Sequence, residues 1–181
     1  MQYHLISWIV SLRSTFDYRK DMKKEKKTNV CRVLDAKKIS YELHIYEQDA
    51  TMSGEEIASI LLEDANRVFK TLVTQGKNKE YYVFVVPVKA ELDLKKAAKA
   101  AGEKSIAMIK QKELLPLTGY VHGGCSPIGM KKQFATFIHQ TAMDYKHIFV
   151  SAGKVGYQIE LSPKDLINVS KCKVADIASE G

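Results

Sequence analysis

This 181-residue chain lacks several things, and each absence narrows what it does. Cysteine occurs only three times, at Cys31, Cys125 and Cys172, an odd number with no CxxC pair. That usage argues against a disulfide framework and against a zinc site, and it suits a reducing, cytoplasmic setting. No run approaches the ~18 consecutive apolar residues of a membrane-crossing helix. Neither GxSxG nor HExxH is present. His44, His122, His139 and His147 stand singly, so each reads as structural before it reads as a base or ligand. No metal and no cofactor is expected. Internal repeats are absent too, as is the regular βαβ alternation that announces a parallel sheet.

What is present is charge, glycine at one place, and short elements in irregular order. Lys and Arg total 28 against 21 Asp and Glu, a formal charge of +7. A surplus of this size draws a protein towards polyanions, with affinity that is not sequence-specific. The length suits one domain with a proper core. Residues 1–21 read as an N-terminal extension, with a natural start at Met22 and the domain over 22–181. Their apolar stretch, Leu5 to Val10, has no basic leader and no small-residue cleavage site, so no signal peptide is expected. A partner-binding amphipathic arm is the other reading of the extension.

Along the rest of the chain, Thr28 caps a predicted helix with Val30, Val33, Leu34 and Lys37 on one side. Tyr41 to Tyr46 alternates as a strand, and Ser53-Gly-Glu-Glu56 is a capping box opening a helix. Val68 to Val73 and Tyr81 to Val86 predict a hairpin across Gln75 to Lys79. Asp93 caps a helix from Leu94 that Gly102 stops. Ser105 to Ile109 reads as a strand, and Lys112 to Leu115 as a helical turn ended by Pro116. Phe134 to His139 is a predicted strand. His147 to Ser151 and Val155 to Leu161 pair across Ala152-Gly153-Lys154, Ser162-Pro163 opens a helix, and Val174 to Ile177 is a closing strand or tail. The pattern predicts an α+β domain with a mixed or mostly antiparallel sheet.

Two stretches invite a functional reading. In Val68-Phe-Lys-Thr-Leu-Val73, Lys70 shares a strand face with Val68 and Leu72. Such a lysine either snorkels from an edge strand or lines a pocket that takes an anionic or polarised ligand. Gly123 to Gly129 packs three glycines and Pro127 into seven residues, followed by Lys131 and Lys132. That is either a tight turn or a loop whose backbone approaches a ligand closely. Lys95 and Lys99 lie four apart on one helix, a solvated face or a phosphate-facing patch.

Taken together, Phe69-Lys-Thr-Leu72, Leu94-Lys-Lys-Ala-Ala98, Thr118-Gly-Tyr120, Gly123-Gly-Cys-Ser-Pro-Ile-Gly129 with Lys131-Lys132, Val150-Ser-Ala-Gly-Lys154 and His44-Ile-Tyr46 resemble the YbaK-type Cys-tRNA(Pro) deacylases. These are free-standing relatives of the editing domain of prolyl-tRNA synthetases. The likeness runs from about Thr28 to Ser179 in the family's order. It implies a sheet curled towards a barrel with helices around it. The implied activity is removal of cysteine from mischarged tRNA(Pro), with Cys-tRNA(Cys) as a further substrate, assisted by the substrate's own thiol. The implied partner is aminoacyl-tRNA, and prolyl-tRNA synthetase is left open as a second.

The resemblance also assigns roles within the site. Lys70, Gly123 and Gly124 would be catalytic, and Tyr46, Thr71 and Ser151 would contact substrate in the same pocket. Lys95, Lys99, Lys131 and Lys132 would meet tRNA. Cys125 falls where the family accepts plain aliphatic residues, so its thiol is not expected to act. Two alternatives stand beside this: a deacylase of another cargo such as Ala-tRNA(Pro), and a catalytically idle tRNA-binding module.

Overall fold

A computed structural model describes residues 27–47 and 52–179. The expectations for residues 1–21 and the start at Met22 lie outside the described residues. The first described helix, α1 (Asn29–Ala36), is capped by the Thr28 hydroxyl, which accepts from the Cys31 N–H, and it buries Val30, Cys31 and Leu34. Strand β1 (Glu42–Ile45) follows, then α2 (Gly54–Ile60), whose N-terminus carries the predicted Ser53–Glu56 capping box. A 3₁₀ turn, Ala65–Arg67, leads into β2 (Phe69–Gly76), which turns into β3 (Tyr81–Pro87).

Beyond the hairpin come β4 (Glu91–Leu92), α3 (Leu94–Ala101) and β5 (Ile106–Met108). Helix α3 begins at an Asp93 cap and ends at Gly102, whose φ of 73° closes it in the left-handed region. Helix α4 (Gln111–Thr118) corrects one expectation, because it runs through Pro116 and stops only at Gly119. Pro116 removes one backbone donor, but the last turn is closed by Thr118 Oγ1 donating to the Leu114 carbonyl at 2.7 Å and Gly119 N donating to the Leu115 carbonyl at 2.9 Å. The remaining elements are β6 (Ala135–His139), β7 (Ile148–Lys154), β8 (Tyr157–Leu161), α5 (Pro163–Ser170), β9 (Lys173–Ala175) and β10 (Ala178–Ser179).

The sheets are mixed, as predicted. One has the order β5-β2-β3-β6-β9, with β6 parallel to both β3 and β9. A second has the order β1-β8-β7, all antiparallel, and a short ladder pairs β10 with β4. A parallel bridge, Val68 to Phe149, stitches the two larger sheets together. The curl expected of the family is present in that join, although the described strands do not close a barrel. The β7–β8 turn sits later than predicted: β7 continues past an irregularity after Ser151 as far as Lys154, leaving Val155-Gly156 as the turn.

Strand β3 shows why the core has two sides. Val83 and Val85 enter one cluster with Val30, Leu34, Phe69, Val73 and Ile159. Tyr82, Phe84 and Val86 enter another beneath α3, with Ala97 and Ala98. A strand buried on both faces must read as an unbroken apolar run, as Tyr81 to Val86 does. A third, smaller cluster joins Ala58 of α2 to Val68 and Phe149.

Candidate active site

Lys70 follows Val68 by two residues, and Leu72 follows Lys70 by two, so all three share a face of β2. Val68 belongs to the cluster under α2 and Leu72 packs against the cluster under α3. Lys70 therefore emerges where the cover of one helix ends and that of the other has not begun. The edge-strand reading fails here. β2 is flanked by β3 along its length, and on its other side by β5 at one end and by the bridge to β7 at the other.

The Lys70 ammonium lies 3.2 Å from Glu91 Oε1, with the Lys70 side chain 28% exposed and that of Glu91 81% exposed. A pair with one partner so open to water is worth no more than about 1 kcal/mol. Lys70 is thus oriented by Glu91 without being committed to it.

The parallel bridge aligns β7 with β2. Two residues on from Phe149 and Val68 lie Ser151 and Lys70, on the same face of the joined sheets. Ser151 pairs with Gln158, which pairs in turn with His44, and Tyr46 is two residues beyond His44. Lys70, Ser151 and Tyr46 consequently fall on one face. The Ser151 hydroxyl accepts from the Gly153 N–H at 3.2 Å. Burial, and secondarily the Glu63 carboxylate, push the Tyr46 phenol up to about 12, so it stays a neutral donor.

Thr71 does not join them. Strand alternation sends it to the side of Phe69 and Val73, where its Oγ1 is buried with no hydrogen-bond partner among the described residues. That is the side of the glycine loop, since Cys125 and Ile128 belong to the same cluster. The loop and the Lys70 face meet at the tip of the β7–β8 hairpin. Gly124 packs on the Lys154–Val155 peptide, and Tyr46 N donates to the Gly156 carbonyl at 3.0 Å.

The loop itself departs from expectation at one donor. The Gly124 N–H is taken by the Val121 carbonyl at 3.0 Å, closing a turn that Gly123, with φ 81°, makes possible. Gly124 serves by closeness instead: a Cβ there would stand 2.9 Å from Val155 N. The N–H groups of Gly123 and Cys125 make no hydrogen bond among the described residues. Tyr120 fixes the far side of the loop, its hydroxyl donating to the Ile128 carbonyl at 2.5 Å.

Cys125 is 8% exposed, and burial pushes its thiol up to about 12 against a lowering contribution from Thr118. At neutral pH it carries almost no thiolate and is a poor nucleophile. His139 is structural, its Nδ1 accepting from the Ile177 N–H at 3.2 Å and its pKa lowered chiefly by burial. His44 Nε2 pairs with Glu160 at 3.2 Å, and Arg67 takes the other Glu160 oxygen at 2.7 Å while lying over the Phe149 ring. Glu42, His44 and Glu160 have ligand atoms within 4.8 Å of one another, but Glu160 is already shared between His44 and Arg67.

Sequence reasoning missed two residues on the Lys70 face. Glu63, just after α2, has both carboxylate oxygens buried and unpartnered, and Gln158, 5% exposed, has a buried unpartnered Oε1. Burial, then the charge of Glu160, push the Glu63 carboxyl up to about 7, with Arg67 opposing. The candidate tRNA lysines are all solvent-facing: Lys95 and Lys99 on α3, Lys131 and Lys132 after the loop. Lys132 shares a cleft of about 260 Å³ with Lys37 and Lys171.

Residues 48–169 match the family model described as the aminoacyl-tRNA editing domain. The chain is 43% identical over 159 residues to EbsC of Enterococcus faecalis, which carries a provisional name as a Cys-tRNA(Pro)/Cys-tRNA(Cys) deacylase. That match takes in 87% of this chain and 97% of EbsC. YwhH of Bacillus subtilis is 28% identical over 127 residues, 70% of this chain and 80% of that one. A solved structure of a candidate trans-editing enzyme for prolyl-tRNA synthetase superposes with a TM-score of 0.72, covering 85% of this chain and 99% of the other at 22% identity. At that identity the likeness bears on the fold.

Proposed function

The chain belongs to the aminoacyl-tRNA editing domain family, and from that membership we propose that it is a trans-editing deacylase removing cysteine from tRNA(Pro). The observation that carries the cargo is the 43% identity to EbsC over nearly the whole of both chains. The geometry supports it through what the site contains and what it lacks. It offers a cation, hydroxyls and free backbone donors, while its one thiol is buried and protonated.

The chemistry then rests on the substrate. The thiol of the esterified cysteine attacks its own carbonyl, a carbon–sulfur bond forms, and the bond to the ribose oxygen breaks. The thiol proton ends on that ribose oxygen, and the cyclic thioester released is hydrolysed by water. Holding the reactive conformer supplies most of the acceleration, since well-oriented intramolecular attack is worth ~7–11 kcal/mol. Lys70 orients the ester and offsets charge on the carbonyl oxygen, helped by the N–H groups of Gly123 and Cys125. Tyr46 and Ser151 contribute hydroxyls beside the acyl group. The basic surface holds the tRNA body, and the fold needs no metal for these steps.

A deacylation panel tests this. Cys-tRNA(Pro) should be cleaved fastest, with Ala-, Pro- and Ser-charged tRNA far behind, and Cys125→Ala should keep most of the activity. A folded but inactive Cys125→Ala protein would make the enzyme's own cysteine the nucleophile. Fast turnover of Ala- or Ser-tRNA would show that water attacks instead and would reassign the cargo. Binding of tRNA without cleavage of any ester would leave a tRNA-binding module.

A further inference from the structure

Glu63 and Gln158 pose the same problem from two elements. Between them three oxygen acceptors are buried without a donor among the described residues: both carboxylate oxygens of Glu63 and the amide oxygen of Gln158. Leaving such groups unpaired costs about 1–3 kcal/mol each, and more for a charge. Native interiors seldom tolerate this unless a water, an ion or a ligand supplies what is missing.

Each of the two is tied to the same pair of residues, Tyr46 and Glu160. Gln158 lies on β8 between Gly156, which meets Tyr46, and Glu160. The charge of Glu63 is felt by the Tyr46 phenol, and Glu160 acts on Glu63 in turn. Glu63 therefore sits over the patch that Tyr46, Gln158 and Glu160 outline. Gln158 is the cross-strand partner of Ser151, and Ser151 is level with Lys70. Three acceptors lacking donors thus stand beside the face where the ester is placed, on the opposite side of Ser151 from the lysine.

We propose that Glu63 and Gln158 form the subsite for the α-ammonium of the aminoacyl ester. The inference rests on the deacylase reading and deepens it. An ammonium has three donors and one positive charge, and the subsite offers three acceptors, two of them on a carboxylate. The geometry of the substrate agrees, because its α-ammonium is one carbon from the carbonyl that Lys70 addresses. Arg67 does not supply the missing donor: its Nη2 and Nε donate to Glu160 and the His147 carbonyl at 2.7 and 2.9 Å, and no bond from it reaches Glu63. The subsite gives the enzyme a way to tell a free aminoacyl ester from one whose amine is blocked or in peptide linkage.

The experiment uses two stable probes. One is cysteinyl-adenosine with an amide in place of the ester; the other is the same molecule with an α-hydroxyl replacing the ammonium. Titration calorimetry gives both affinities for the full-length protein and for Glu63→Gln. The wild type should bind the ammonium probe ~10- to 100-fold more tightly, the scale of a charge-assisted hydrogen bond. Glu63→Gln should lose that preference while binding the hydroxy probe about as well as before. Glu63→Asp, which keeps the charge, should retain part of it. Equal binding of the two probes by the wild type would overturn the assignment, as would a preference undiminished in Glu63→Gln. A preference that depends on Glu63 in a protein that cleaves no charged tRNA would leave the subsite standing and remove the deacylase reading instead.

Discussion

Gly124→Ala tests the site through its packing, leaving every polar group in place. The added Cβ would lie 2.9 Å from Val155 N, 3.1 Å from the Lys154 carbonyl carbon and 3.3 Å from Lys154 Cα. All three atoms are backbone, so no side chain can swing aside. An ordinary contact needs roughly 0.5 Å more, and the loop or the hairpin tip must move by that much. Overpacking of this kind costs ~1–3 kcal/mol. Since a misplacement of ~1 Å costs about 100-fold in rate, a shift of half that size should cost about tenfold in kcat/KM.

The control is Gly102→Ala. Its φ of 73° is unsuited to a side chain, unlike the backbone of Gly124, but no atom lies within 4 Å of the new Cβ. It should lose ~1–2 kcal/mol through left-handed strain alone and keep full activity. Single-turnover deacylation beside thermal melts separates the two. A Gly124→Ala protein with wild-type turnover would refute the claim that the loop's seat on the hairpin sets the reactive geometry.

Other outcomes follow from the same geometry. Lys70→Ala should lower deacylation by ~10²-fold or more with the fold intact, because the Glu91 pair it breaks is exposed; near-normal turnover would remove Lys70 from the chemistry. Binding of tRNA should weaken with salt, and replacing Lys95 and Lys99 together should reduce the slope of log K on log salt by ~1–2. An unchanged slope in that variant, with a reduced one on replacing Lys131 and Lys132, would move the tRNA to the loop side. Burial raises the Glu63 carboxyl from 4.5 to about 7, so with no ammonium bound beside it the fold favours its neutral form. That contribution is whole below pH 4.5 and is lost as pH rises through about 7, with Glu160 raising and Arg67 lowering it beside the burial. Glu63→Gln, a permanent neutral mimic, should therefore gain in melting temperature over the wild type between about pH 5 and pH 8; a constant difference would contradict the burial argument.

Where local chemistry decides an element, the sequence announced it. The Thr28, Ser53, Asp93 and Ser162 caps fall at the predicted residues, as does the Gly102 stop. Pro116 misled because the carbonyl it leaves without a helical donor is that of exposed Lys112, open to water, while Thr118 and Gly119 still close the last turn onto Leu114 and Leu115. The β7–β8 turn was placed too early because Gly153 looks like a turn glycine, whereas its positive φ serves a strand irregularity and a close approach to Tyr120. Motif order grouped Thr71 with Lys70, and strand alternation then parted them. Glu63 and Gln158 gave no signal, because an acidic residue after a helix and a glutamine in a strand look like solvent-facing filler until burial is known.

The division of labour in the site follows from one contrast. Its thiol is buried and driven up to about 12, His44 is paired with Glu160 and His122 is exposed, so the described residues of the site offer no activated nucleophile. What it does bring is fixed: a lysine held loosely by an exposed carboxylate, hydroxyls at Tyr46 and Ser151, and a loop pressed on a hairpin tip. A substrate with an internal thiol needs only to be held, because a few per cent of that thiol is ionised near neutral pH. A serine ester of nearly the same size must ionise a hydroxyl without help and gains little from the same grip. Discrimination between the two then comes from their own acidity, and the pocket need not tell them apart by shape.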